Sequence, residues 1–274
     1  REQNHTSNDF ILLGLLPPNQ TGIFPLCLII LIFFQASVGN SAMIHLIHVD
    51  ARLHTPMYFL LSQLSFMDLM YISTTVPKMA HDFLSGQKGI SFLGCGVQSF
   101  FFLTMVGSEG LLLTSMAYDR YVAICHPLHY PIRMSKMMCV KMILVCALHI
   151  PYCRSRAIDH FFCDVPAMLL IVYEYMVFVS TILFAVYHIH SKEGRKKAFT
   201  TISTHLTVVM FYDISSAYAY LWPRNLCSPT EDKILAVFYT ILTPMLNPTI
   251  YSLRNKEVLR AETRVFGILS FMKE

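Results

Sequence analysis

Charge is scarce in this chain. Asp, Glu, Lys and Arg make up 14% of its 274 residues, against a hydrophobic share of 54% and a mean hydropathy of +0.50. Soluble domains hold about 25% charged residues, so the composition excludes a soluble globular enzyme or binding module. Motifs of metal and hydrolytic chemistry are also missing. There is no CxxC pair, no HExxH and no GxSxG, and the 12 histidines are dispersed, which leaves nothing on which to build a zinc site or an intramembrane enzyme. No low-complexity tail and no repeat interrupts the chain. Residues 1–20 are polar and then briefly apolar, with no small-residue cleavage site behind an apolar core, so they do not read as a signal peptide. The first apolar span is expected to act as its own insertion signal.

The apolar residues come in blocks long enough to cross a bilayer, which takes about 20 residues. Such blocks cover residues 23–47, 57–76, 95–123, 198–221 and 234–253. Residues 168–187 qualify by length although they carry Glu174, and 138–150 form a shorter stub with Lys141 inside it. Basic residues set the orientation. With the N-terminus outside, 14 of the 21 Lys and Arg fall on the inner side and 7 on the outer. That bias supports an external N-terminus and an odd number of crossings, so the stub is counted as a span. The reading is an all-α membrane protein of seven transmembrane helices. Residues 1–22 form an extracellular N-terminus, 23–253 the membrane domain and 254–274 an inner tail with a short amphipathic helix. The net charge of +4 then reflects a basic face towards anionic lipid, not nucleic-acid binding.

Several spans carry polar residues that an inert anchor would not have: Asn40 after Gly39, Asp68 in LSFMDL, Glu109, and Asn247 with Pro248 in LNPTIY, one turn before Tyr251. Buried acids in lipid need a partner, a cation or a proton. The expected arrangement brings Asp68, Glu109 and Asn247 together at mid-bundle with Asn40 near them, and a sodium ion or a proton at Asp68 and Glu109. No other cofactor is expected. Hydrogen bonds that merely glue helices together are the plainer alternative. Pro248 removes a backbone donor and is expected to kink the last helix.

The run MAYDRYVAIC, residues 116–125, places Asp119-Arg120-Tyr121 at the end of a long apolar span. It closely resembles the motif after the third helix of odorant receptors, which are rhodopsin-like G-protein-coupled receptors. PMYFLLSQLSF at 56–66, KEGRKKAFTTISTHLTVV at 192–209 and SLRNKEV at 252–258 also resemble strings of that family. The resemblance implies a plasma-membrane receptor, not an enzyme, that binds a small, volatile, mostly apolar molecule and activates a stimulatory olfactory-type G protein to raise cyclic AMP. It implies a switch at Asp119, Arg120, Tyr121, His205, Asn247, Pro248 and Tyr251. By position, the ligand pocket would include Phe102, Leu103, Val106, Gly107, Ser216, Tyr220, Val237 and Thr240. It also assigns a disulfide between Cys95 and Cys163 and a glycan to Asn4 in Asn4-His5-Thr6; a second sequon, at Asn19, sits almost on the first span.

The chain departs from the family at three places. The fourth span lacks its outer half, the outer loop lacks a further cysteine that would pair with Cys153, and the fifth span ends abruptly before AVYHIHSKEGRKK. Asp213 also stands where relatives carry an aromatic residue. A non-signalling remnant of the family is therefore one alternative. A transporter or channel is another, although the matched broken helices or ring of pore charges that it would need are not found.

Overall fold

The computed structural model describes residues 9–11, 20–86, 89–125, 127–135, 137–141 and 237–267, together with Ser180, Tyr187, Lys192, Arg195 and Lys196. Three long helices dominate: α1 (Gln20–Val49), α2 (Pro56–Ser85) and α3 (Phe92–Cys125). A short α4 (Tyr130–Arg133) follows. At the far end of the chain one π-helical turn (Phe238–Leu242) leads into α5 (Thr243–Arg254), and α6 (Lys256–Phe266) comes directly after it.

The helix ends follow local chemistry. Pro56 takes the first turn of α2, where its missing N–H is no loss. Gly86, at φ 69°, closes that helix in the left-handed conformation. Asn255 is extended and separates α5 from α6; its carboxamide oxygen accepts the Glu257 N–H at 3.0 Å, which caps α6.

Helix α1 is apolar all round, as a lipid-facing span must be. Phe24, Leu31, Phe34 and Val38 point outward, while Leu26, Ile29, Ala36, Met43 and Leu46 are buried. Among the described residues the buried side chains form two apolar clusters. One holds Leu26, Ile29 and Ala36 of α1, Tyr71, Ile72, Val76 and Met79 of α2, and Ile241. The other holds Met43 and Leu46 of α1, Leu60, Leu61 and Leu64 of α2, Leu112 and Met116 of α3, Tyr251 of α5, and Val258 and Ala261 of α6. On α1, α2, α3 and α5 the predicted polar residue falls in the gap between the clusters: Asn40, Asp68, Glu109 and Asn247, all buried.

Pro248 explains two neighbours on α1. A proline in a helix leaves the carbonyl four residues earlier without a donor, here that of Pro244. Asn40 supplies one instead, its Nδ2 donating to the Pro244 oxygen at 2.8 Å and to the Ala36 oxygen at 3.0 Å. Gly39 lets the proline ring approach, since a Cβ there would lie 3.2 Å from Pro248 Cγ.

A two-stranded antiparallel sheet was not foreseen from the sequence. Strand β1 (Asp9–Ile11) pairs with β2 (Gly89–Ser91), with Phe10 opposite Ile90. Lys78 of α2 donates both to the Asp82 carboxylate and, at 3.2 Å, to the Gly89 carbonyl, and so ties this sheet to the helix end.

At the opposite end, Arg264 of α6 donates to the Asp50 carboxylate through Nε at 3.0 Å and Nη2 at 2.5 Å. The Arg264 hydrogen bond, then that of the Arg52 N–H, holds the Asp50 carboxyl below the ordinary carboxylate range. Its contribution is therefore complete above the pKa of a free aspartate and is lost only as the pH falls through the lowered value. Near neutrality this clamp does not titrate.

Replacing Asn40 with Leu should lower stability by about 1–3 kcal/mol, because the Pro244 carbonyl is then buried without a donor. Gly39→Val should add an overpacking loss of about 1–3 kcal/mol by pushing on the Pro248 ring. Thermal unfolding of the detergent-solubilised protein checks both, and an unchanged midpoint for Asn40→Leu would contradict the assignment.

Candidate functional site

The polar layer is centred on one amide. Asn247 Nδ2 lies 3.1 and 2.9 Å from the two Asp68 oxygens and 3.3 Å from Glu109 Oε1. Three spans, α2, α3 and α5, therefore meet at a single nitrogen. All three residues are at least 95% buried. The two carboxylates approach each other within about 6 Å, since both contact the same atom. A neutral amide offers two N–H groups but no charge, so it cannot balance two buried carboxylates. Among the described residues, Asn247 Oδ1 and the hydroxyl of Ser108, the residue before Glu109, are buried without a hydrogen-bond partner.

Asn40 lies in the same layer but does not join the triad. Its amide serves the Pro244 carbonyl, one turn before Asn247. Tyr251 is buried in the apolar cluster below the triad, and Pro248 lies against Gly39.

At the end of α3, Asp119 is fully buried and accepts a hydrogen bond from the Tyr130 hydroxyl at 2.7 Å. Tyr130 was not among the expected switch residues. It stands eleven positions on, at the start of α4, and the only signal in the sequence was an aromatic hydroxyl in the loop that follows the triplet. The side chains of Arg120 and Tyr121, and all of His205, lie outside the described residues.

Of the expected pocket residues, Thr240 is fully buried and Val237 packs half-buried against the cluster of Tyr71, Ile72 and Met79. Thr240 lies within the π-helical turn and Val237 directly precedes it; the extra residue of such a turn re-aims side chains, and such turns are frequent at functional sites. Ser216, Tyr220 and the side chains of Phe102, Leu103 and Val106 lie outside the described residues, as do Asn4, Asn19, Cys153, Cys163, Asp213 and the surroundings of Gly107. Cys95 is buried and disulfide-bonded. Its partner is neither Cys27 nor Cys139, which are free.

With this geometry in view, the comparisons with known proteins are specific. A family model described as "7 transmembrane receptor (rhodopsin family)" matches residues 39–153, and one described as "Olfactory receptor" matches residues 155–268. The first places the chain in the class of seven-helix membrane receptors, whose bundle is the all-α fold expected from the apolar blocks. Olfactory receptor 2L13 of Homo sapiens is 78% identical, with 99% of each chain covered. Olfactory receptor 2L5 of Homo sapiens is 62% identical over 96% of each, and Olfactory receptor 2V1 of Mus musculus 48% over 94% of each. The chain belongs to the olfactory receptor family, and so to receptors rather than enzymes. The alignment with 2L13 runs over 308 residues, 34 more than this chain has. Internal segments present in that relative are therefore missing here.

Tyr130→Phe removes the hydroxyl that Asp119 accepts. A hydrogen bond to a charged acceptor is worth about 1.5–3 kcal/mol, so the variant should reach the surface yet show altered basal signalling in a reporter cell. Basal activity equal to the parent at matched surface level would place Tyr130 outside the switch.

Proposed function

We propose that this olfactory receptor binds a small, mostly apolar volatile molecule inside the helix bundle. It answers by activating a stimulatory G protein and raising cyclic AMP at the plasma membrane, with its N-terminus outside. The observation that carries this reading is the triad of Asp68, Glu109 and Asn247, buried between two apolar clusters on three separate spans. A passive anchor has no use for two carboxylates at mid-bundle. A two-state bundle does, because a ligand shifts such an equilibrium only through interactions that differ between the states.

The triad holds a proton or a small hard cation such as sodium in the resting receptor. Its donor set fits: carboxylate oxygens from Asp68 and Glu109, with Asn247 Oδ1, which has no hydrogen-bond partner among the described residues, on the same amide. Two ionised carboxylates sharing one neutral amide would be strongly destabilising in a dry interior. Rearrangement of α5 about Pro248 changes what the triad can hold. It also moves Tyr251 and, through Asn255, the Tyr58 hydroxyl that exchanges hydrogen bonds with it at 3.0 and 3.2 Å. At the inner end of α3, Arg120 serves G-protein coupling while Asp119 is held by Tyr130. On the outer face Cys95 pairs with Cys163, and Asn4 carries a glycan.

The shortfall of 34 residues against 2L13 supports a second reading, a family member that no longer signals. The fourth and fifth spans and the outer loop between them, where the sequence departs from the family, are where such a shortfall fits.

A cyclic AMP reporter with an odorant panel separates the two. Under the first reading at least one odorant raises cyclic AMP, and Arg120→Ala abolishes that response without loss of surface protein. Glu109→Gln, which removes one carboxylate charge while keeping size, shifts basal activity or agonist potency. A surface-expressed parent silent to the panel and to direct G-protein recruitment is the outcome of the second reading.

A further inference from the structure

Lys141 interrupts an apolar stretch that is already short, and neither the triad nor the coupling residues account for it. With Arg133 it borders a cleft of about 300 Å³ beside the end of α3, whose wall also includes Tyr118 and Ser135. Arg133 and Lys141 are both exposed, and neither forms an ion pair or hydrogen bond among the described residues. No described acid lines the cleft. Ser135 Oγ accepts the Met138 N–H at 3.3 Å, which leaves its own hydrogen to donate.

The apolar surroundings are as informative as the cations. Ile132 and Met137, both in the wall, are 78% and 69% exposed, and Val140 beside them is also exposed. Water would not favour such a display, but acyl chains would. The frame that carries it is fixed, because Met134 and Cys139 are buried in the apolar cluster that holds Met116 and Val122. Cations on a rigid frame, next to apolar side chains turned away from the bundle, match a lipid whose head is anionic and whose tails lie alongside. A long Lys stem suits this boundary, since it keeps its charge at headgroup level while its methylenes stay in the apolar zone. The excess of Lys and Arg on this side of the spans makes it the cytoplasmic face, where anionic lipids concentrate and basic pockets bind their heads.

We propose that this cleft is a binding site for the phosphate-bearing headgroup of an anionic phospholipid of the cytoplasmic leaflet. Arg133 and Lys141 hold the phosphate, Ser135 donates a hydrogen bond, and Ile132 and Met137 pack along the acyl chains. An occupied site braces the turn that carries Tyr130, and so the hydrogen bond from Tyr130 to Asp119.

The test uses the full chain, purified and placed in nanodiscs of phosphatidylcholine with or without phosphatidylinositol bisphosphate. Lipid retained on the protein is read by native mass spectrometry and stability by thermal unfolding. The parent should retain the anionic lipid and unfold at a higher temperature with it. Arg133→Gln and Lys141→Gln should each weaken retention about fivefold, from a contribution of roughly 1 kcal/mol per cation at a membrane surface. The charge-keeping pair Arg133→Lys with Lys141→Arg should restore retention. Arg260→Gln, on the exposed face of α6 where Arg260 pairs with Glu257, should not change it.

Equal retention by the Gln variants and the parent would overturn the proposal, as would retention of phosphatidylcholine to the same degree. If inorganic phosphate binds as tightly as the lipid, the apolar wall has no part and the lipid assignment fails. If the Gln variants lose a purified G-protein α subunit but keep the lipid, the cleft is a protein-docking surface instead. None of these readouts requires signalling, so failure here leaves the receptor reading intact.

Discussion

One amide nitrogen holds the described part of this bundle together. Inside a bilayer no water satisfies a buried polar group, and an unpaired carboxylate is among the costliest things to bury. Asn247 gives both acids a hydrogen-bond donor, though no charge to balance them, and so ties α5 to α2 and α3. The apolar clusters above and below it have no directional preference of their own. Register between the spans is therefore set in the polar layer, and the clusters fill around it.

The second constraint is the proline next to that amide. Pro248 withdraws a donor from its own helix, and Asn40 of α1 returns one to the stranded Pro244 carbonyl. α5 is thus held by side chains of its neighbours rather than wholly by its own backbone. Such an element can have two arrangements of similar energy, because what stabilises it can be exchanged side chain by side chain. Its lower end is wired outward: Tyr251 sits in the same cluster as Val258 and Ala261 of α6, Asn255 exchanges hydrogen bonds with Tyr58 of α2, and Arg264 clamps Asp50 after α1. A shift at the triad has a continuous packed route to the face where a G protein would bind.

Much of this was legible in the chain, for a physical reason. Membrane spans announce themselves by length and apolarity, and a single Asp or Asn inside one stands out against that background, so Asp68, Glu109 and Asn247 could be named together. What stayed hidden depended on partners distant in sequence or on signals too short to see. Three-residue strands such as Asp9–Ile11 have no alternation to read. The Asp50–Arg264 clamp joins residues 214 apart, and nothing local marks either end. Tyr130 lies in a connecting segment where a tyrosine is unremarkable. The role of Asn40 was within reach, since a mid-helix proline always frees the carbonyl four residues back, but the helix that answers it had to be seen.

The central claim is that the buried acid pair needs a neutralising proton or cation to be stable. The most direct measurement is the thermal unfolding of the purified receptor in choline chloride, as sodium replaces choline at constant ionic strength and, separately, as the pH is lowered. The account predicts that each raises the unfolding temperature of the parent and that neither does so in Asp68→Asn with Glu109→Gln, which keeps the hydrogen bonds without the charges. An unfolding temperature in the parent that is indifferent to both sodium and pH, or one that responds equally in the double variant, would contradict it.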